Sequence, residues 1–251
     1  MFGLFKPKLS PATCAITDKG DRDENQDASL CLEYGSAACY LVADGMGGHK
    51  GGKLASNEFC AAISKLFPDC LDRLQTEAEE TIKQLINRAR EEMCARITRL
   101  GTELSPHTTA VLAILNHNVL YVAHIGDSRA YLIQKGKISW QSRDHSVAQL
   151  MLEQGEMAPD EVAHDGSQSI LFRSIECHKK HSPSMNEFNN IQPGDCLVLC
   201  SDGFWCYSSD ADLLSLAVSA KPHNRLKKLV HKTRRAAKGH ADNITVVFVR
   251  F

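Results

Sequence analysis

No stretch of the 251-residue sequence approaches the ~18 consecutive apolar residues of a membrane-spanning helix. The opening MFGLFKPK has too few apolar residues before Pro7 for the ~7 to 15 residue apolar core of a secretory signal. A soluble, cytoplasmic protein with no membrane span is expected. There is no CxxC pair, and Cys and His nowhere recur at zinc-ligand spacing, so the ten cysteines and eleven histidines do not suggest a zinc site. Most cysteines, among them Cys39, Cys60, Cys94, Cys196 and Cys200, sit inside apolar runs, which predicts buried, reduced thiols and not a disulfide framework. Neither a dinucleotide fingerprint nor a P-loop is present, since the final GK of GMGGHKGGK is followed by Leu54. An excess of either charge is also missing. With 29 Lys and Arg against 30 Asp and Glu, the net charge of -1 removes the simplest case for a nucleic-acid partner or a membrane surface.

What remains is ordinary globular material, 43% hydrophobic and 24% charged, enough for one large core and a single domain over residues 1–251. A short strand at 14–17 leads into the polar loop DKGDRDENQDAS, and a second apolar run at 37–43 ends at Asp44 and turns through GMGGHKGG. Two helices are predicted next. The first covers 54–67 and is stopped by Pro68; the second covers 71–100, with Leu71, Leu74, Ala78, Ile82, Leu85, Ala89, Met93, Ile97 and Leu100 at helical spacing and Gly101 as its cap. From Thr108 the period shortens to that of hairpin-linked antiparallel strands. A short helix at 147–154 and an irregular polar stretch to about 169, with little core of its own, predict a mobile flap at 147–169. Strands are expected again near Ile170 and at 195–204, helices at 212–220 and 226–237, and a closing strand in ADNITVVFVRF.

Four of the apolar strands begin or end on an aspartate: Asp44, Asp127, Asp202 and Asp242. Each alone is an ordinary turn residue. Together they place several carboxylates at one end of a sheet, where they repel and lose hydration unless cations compensate them. Carboxylates without His or Cys select hard ions such as Mg2+ or Mn2+. Two such ions ~3.5 to 4 Å apart can activate a shared water for in-line attack on phosphorus.

The blocks GDRDENQDAS, VADGMGGHKGG, HTTAVLAIL, HIGDSRAYLI, RDHSVAQL, LFRSIE, IQPGDCLVLCSDGFW and ADNITVVFV occur in the order found in the metal-dependent PPM/PP2C family of serine/threonine protein phosphatases, and the chain resembles its compact bacterial type. The resemblance implies an α+β fold, a central antiparallel β-sandwich flanked by helix pairs in four αββα layers. It implies that Asp44 bridges two Mn2+ or Mg2+ ions with the Gly45 carbonyl beside it. Asp202 and Asp242 would hold the first ion, and Asp27 would act on the second through water. Asp127 would hold a weaker third ion with Asp202, and Arg22 would bind phosphate. A guanidinium suits that last task because it grips two phosphate oxygens at once. The implied reaction is hydrolysis of phosphoserine and phosphothreonine in proteins by direct attack of metal-bridged hydroxide, with no covalent intermediate. Implied partners are phosphorylated protein substrates and a cognate bacterial Ser/Thr kinase, with the phosphatase a monomer.

Some positions depart from the family pattern. Met46 stands where many eukaryotic members carry a histidine proposed to protonate the leaving group, Gln26 replaces a glutamate, and His107 and Glu176 stand where glycine is usual. Asn243 is a candidate to orient water or to shape a turn, and His49 reads as structural or solvated. Two other readings stand beside the enzyme: a pseudophosphatase that binds phosphoproteins, and a hydrolase of a phosphorylated small molecule. All the acids whose loss would mark the first are present, and the second calls for a closed pocket.

Overall fold

The structure is a computed structural model and describes residues 9, 11–47, 51–100 and 106–251. In chain order its strands and α-helices are β1 (Ala12–Asp18), β2 (Asp27–Tyr34), β3 (Ala37–Met46), α1 (Gly51–Leu66), α2 (Ala78–Arg99), β4 (His107–Thr108), β5 (Ala110–Asn116), β6 (Val119–Ile125), β7 (Arg129–Gln134), β8 (Lys137–Gln141), α3 (Val147–Gln154), β9 (Ser184–Phe188), β10 (Cys196–Cys200), α4 (Asp202–Trp205), α5 (Asp210–Ala217), α6 (Pro222–Ala236) and β11 (Ile244–Arg250). Two antiparallel sheets run in the orders β1-β11-β10-β7-β8 and β2-β3-β5-β6-β9, with β4 paired to the end of β3.

The central strands are buried on both faces, which is why they read as continuous apolar runs. Along β3, Cys39, Leu41 and Ala43 pack with Phe59, Ile63, Leu85 and Met93 of α1 and α2, whereas Ala38, Tyr40 and Val42 face Leu197, Leu199, Val247 and Val249 of the other sheet. β11 alternates in the same way, with Val246 and Phe248 turned to Leu213, Leu226 and Val230 of α5 and α6. Three apolar layers thus lie between four structural ones, the expected αββα architecture. Each fully buried large side chain contributes roughly 1.5 to 3 kcal/mol.

Several expected boundaries move. The stripe read as one helix over 71–100 is broken: 3-10 turns at Phe67–Cys70 and Arg73–Gln75 carry the chain around before α2 starts at Ala78. Leu74 is still buried, so the turn supplies a core residue at helical spacing without being helix. The strand expected near Ile170 is replaced by two isolated bridges, Ser146 with Leu171 and Thr108 with Ile175. Residues 155–169 are less empty than expected, since Met157 and Val162 pack with Ala148, Met151 and Leu152 of α3. The thiol expectation is corrected at one place. Cys94 and Cys177 form a disulfide, because α2 and the segment after Ile175 are also drawn together by Arg90, which donates to the carbonyls of Glu176 and Cys177 (2.6 and 2.8 Å). Cys39, Cys60, Cys196 and Cys200 are free and buried, as expected. Gly48, His49, Gly101 and the opening residues 1–8 lie outside the described residues, so the cap, loop-histidine and leader expectations are not addressed.

Candidate active site

The site forms where both sheets end on aspartates. The β2–β3 register sets Asp27 directly opposite Asp44. Two like charges facing across strands repel, so the pairing needs compensation from elsewhere. The Asp44 backbone is held rigidly: its N–H donates to Thr109 Oγ1 (3.0 Å), and its carbonyl accepts from Thr109 N–H and Thr108 Oγ1 (both 2.8 Å). Gly45 must be glycine, because a Cβ there would overlap the Gly52 carbonyl where α1 begins. Asp202 enters from the end of β10, Asp242 from the loop before β11, and Asp127 from the turn after β6.

Arg22 lies on the β1–β2 loop, its Nη2 2.6 Å from Asp242 Oδ2. That loop is fastened at Gly20, where a Cβ would overlap the Asp242 carbonyl, and by Asn243. The Asn243 side chain accepts from Gln26 N–H (2.8 Å) and donates to the carbonyls of Lys19 and Glu24 (2.8 and 2.9 Å). Of the two roles open to it in the sequence, this is the shaping of the loop. Arg22, Asp44, Gly45, Asp127, Asp202 and Asp242 all line one cleft of about 180 Å³. Asp27 lies behind that wall, its Oδ2 accepting from Ser201 Oγ (2.8 Å).

Burial, with the charges of Asp27, Asp202, Asp127 and Asp242 adding to it, pushes the Asp44 carboxyl well above the usual range. Burial and the Asp202 and Asp144 charges do the same to Asp127. Asp27 is pushed up to about 7 and Asp202 to about 6, again by burial first and by neighbouring carboxylates after it. Asp27 Oδ1 and Asp202 Oδ1 are buried without a hydrogen-bond partner. Orphaned carboxylate oxygens among mutually repelling acids fit hard divalent cations. Among the described residues, no three Asp, Glu, His or Cys side chains are closed around one point as a finished cage. Arg22 instead occupies Asp242, and Gln168 spans Asp127 and Asp202.

The sequence model described as Protein phosphatase 2C matches residues 19–241. The chain belongs to that family. It is 29% identical over 238 residues to the serine/threonine protein phosphatase PstP of Mycobacterium tuberculosis, a match covering 93% of this chain and 43% of that longer protein. It is 30% identical over 241 residues to the protein phosphatase PhpP of Streptococcus pneumoniae, covering 93% of this chain and 95% of that one. Among solved structures it is similar to the catalytic domain of PstP in complex with two manganese ions, with a TM-score of 0.80 and 26% identity over 96% of this chain and 97% of that chain.

Within this Protein phosphatase 2C site, two features escape sequence reasoning. Gln168 stands in the irregular stretch after α3, yet it is buried and its Nε2 donates to Asp127 Oδ2 (2.8 Å) and Asp202 Oδ2 (3.4 Å). No local pattern announces it, because its partners lie 41 and 34 residues away. The second is His145, which brackets Gly126 just before Asp127. The Gly126 N–H donates to His145 Nδ1 (3.1 Å), and His145 N–H donates to the Gly126 carbonyl (2.9 Å).

A backbone N–H on Nδ1 leaves that nitrogen as an acceptor, so the ring is neutral and Nε2 donates to Ser184 Oγ (2.9 Å). Burial, then the neighbouring His124, Arg173 and His181, pushes the His145 pKa down to about 3. A histidine depressed in the fold contributes its stability above the unfolded value of about 6.5 and loses it as pH falls from there, because the unfolded chain takes the proton. Between pH 7.5 and 5.0, the wild type is expected to lose on the order of 1 kcal/mol more than His145→Gln in urea denaturation. Equal losses would show that His145 titrates normally.

The thiols offer no competing nucleophile. Burial pushes Cys31 up to about 11 and Cys60 up to about 12, and it raises Cys14, Cys39, Cys70, Cys196, Cys200 and Cys206 as well.

Proposed function

We propose that this chain is a metal-dependent serine/threonine protein phosphatase, hydrolysing phosphoserine and phosphothreonine in proteins. The observation that carries the reading is the set of raised, partly orphaned carboxylates facing Arg22 across one cleft. Asp44 and the Gly45 carbonyl would hold a pair of Mn2+ or Mg2+ ions together with Asp202 and Asp242, Asp27 would support them through water, and Asp127 with Asp202 would hold a weaker third. Bound there, the ions supply an activated water and neutralise charge on the phosphoryl oxygens.

The chain's own groups do the rest. Arg22 and Asp242 form an exposed pair, worth at most about 1 kcal/mol. The guanidinium therefore releases Asp242 readily and turns two of its five N–H donors to the phosphate, where it stabilises developing negative charge. Thr108 and Thr109 keep the Asp44 main chain, and with it the base of its carboxylate, fixed at the cleft. Met46 lines the cleft and carries no proton to give, so the leaving alkoxide takes its proton from water.

Residues 1–251 act as one phosphatase domain, with 147–169 a flap that Gln168 fastens over Asp127 and Asp202. The natural substrates are phosphoproteins, with a cognate Ser/Thr kinase as counterpart and the monomer as the working form. No described helix is long and apolar enough to cross a membrane; a cytoplasmic setting is part of the proposal.

The test is phosphopeptide hydrolysis in Mn2+ and in EDTA, with cation binding followed by calorimetry. Activity is expected only with the cation, together with two tight sites and one weak one. Full turnover in EDTA would sink the proposal.

A further inference from the structure

A strongly basic segment of the sequence lies outside the cleft. Residues 221–240 contain eight of the 29 Lys and Arg residues and no Asp or Glu, leaving 21 basic against 30 acidic residues in the rest of the chain. Most of this segment is α6, whose Leu226, Leu229, Val230 and Thr233 are buried. The outer face carries Lys227, His231 and Arg234 in one row at helical spacing, with Lys228, Lys232 and Arg235 beside it, and Lys238 follows just past the helix end, all exposed. Lys232 pairs with Asp212, and Arg234 with Asp18 and Asp21. Among the described residues, Lys227, Lys228, Arg235 and Lys238 have no ion-pair partner.

This face adjoins the phosphate end of the cleft. Arg234 grips Asp21, next to Arg22; Asp21 exchanges hydrogen bonds with Ala241 (2.9 and 3.0 Å); and Asp242, the partner of Arg22, follows at once. The basic row therefore leads from the solvent end of α6 to the loop that carries Arg22.

We infer that the exposed face of α6 is a docking surface for an acidic stretch of the phosphoprotein substrate, lying a few residues from the phosphorylated serine or threonine. This rests on the phosphatase reading above and adds a specificity determinant to it. Charge complementarity selects an anionic partner. The remainder of the chain, with 21 basic against 30 acidic residues, favours a short one, because a long nucleic acid or a lipid plane would extend beyond α6 onto a net acidic molecule. From Arg235 back to Lys227 the helix runs about 12 Å, which an extended peptide covers in about four residues. The complementary acids thus form a stretch of about four residues on one side of the phosphoresidue.

The experiment uses three phosphopeptides of one core sequence: neutral flanks, acids on the N-terminal side, and acids on the C-terminal side. They are tested against the wild type and Lys227→Glu/Lys228→Glu/Arg235→Glu, with p-nitrophenyl phosphate as control. At low salt, one acid-flanked peptide is expected to exceed the neutral one by about tenfold in kcat/KM. The advantage disappears at 0.5 M salt and in the triple variant, while p-nitrophenyl phosphate turnover is unchanged. Equal rates on all three peptides, or a preference that survives in the variant, overturns the inference. So does α6-dependent binding of an oligonucleotide or of anionic vesicles without any peptide preference. If neither the peptides nor p-nitrophenyl phosphate is hydrolysed in Mn2+, the phosphatase reading itself falls and takes this one with it.

Discussion

Asp44→Asn is expected to lower phosphopeptide hydrolysis by at least about a thousandfold while leaving the cation-free protein as stable as the wild type or more so. The two effects have one origin. Asp44 stands opposite Asp27 in the β-ladder and within reach of the charges of Asp202, Asp127 and Asp242, all of which raise its pKa after burial has done so. Asparagine keeps the shape and the main-chain bonds to Thr108 and Thr109, so the strand end stays in place. What it removes is one negative charge from a repelling group, a relief of up to about 1 kcal/mol. The same charge is the one assigned to both ions, so its removal weakens both sites together. The measurements are kcat/KM with Mn2+, thermal unfolding in EDTA, and the rise in Tm on adding Mn2+. The variant is expected to match or exceed wild type in EDTA and to lose most of the cation-induced rise. Activity within tenfold of wild type, or a large loss of stability in EDTA, would remove Asp44 from the centre of the site.

Asp44, Asp127, Asp202 and Asp242 were legible in the sequence because each begins or ends an apolar run, and a strand buried on both faces gives a strong local signal at β3, β10 and β11. Their convergence was not locally encoded: Asp44 and Asp202 meet only after two sheets stack. The strands that the sequence does not announce are edge or near-edge ones. β2, with Leu30 and Leu32 only partly buried and Ser29 and Glu33 on either side of them, and β9, reading SMNEF, carry too little apolar surface to be told from loop. Helix boundaries shifted for a related reason. Periodicity registers which residues reach the core, and Leu74 reaches it from a 3-10 turn as well as it would from a helix. Gln168 and His145 act through partners distant in sequence, so spacing held no trace of them.

The largest stability effect is expected at Asp144, whose removal leaves the Arg129 guanidinium buried and alone. Arg129 donates to both Asp144 oxygens (2.7 to 3.1 Å), lies 3.3 Å from the centre of the Trp205 ring, and is 12% exposed against 1% for its partner. Burial pushes the Asp144 carboxyl up, against the pull of Arg129, so the pair exists at a desolvation cost that only mutual contact offsets. Asp144→Ala deletes the offset and keeps the cost, a loss of about 3 to 5 kcal/mol, or a fall in Tm of about 10 °C. Arg129→Met with Asp144→Leu removes both charges and is expected to recover most of that loss, because the penalty belongs to the lone charge and not to the missing contact. A double variant as unstable as Asp144→Ala, measured by urea denaturation, would mean that the pair's bonds themselves hold the fold. The pair also backs the cleft: Trp205, under the guanidinium, donates through Nε1 to the Asp127 carbonyl (2.9 Å). The recovered double variant therefore separates two roles, since it folds with Trp205 in place but without the cation that pins the ring. A weaker third-cation affinity in that variant, at wild-type stability, would assign to Arg129 the positioning of Asp127 through Trp205.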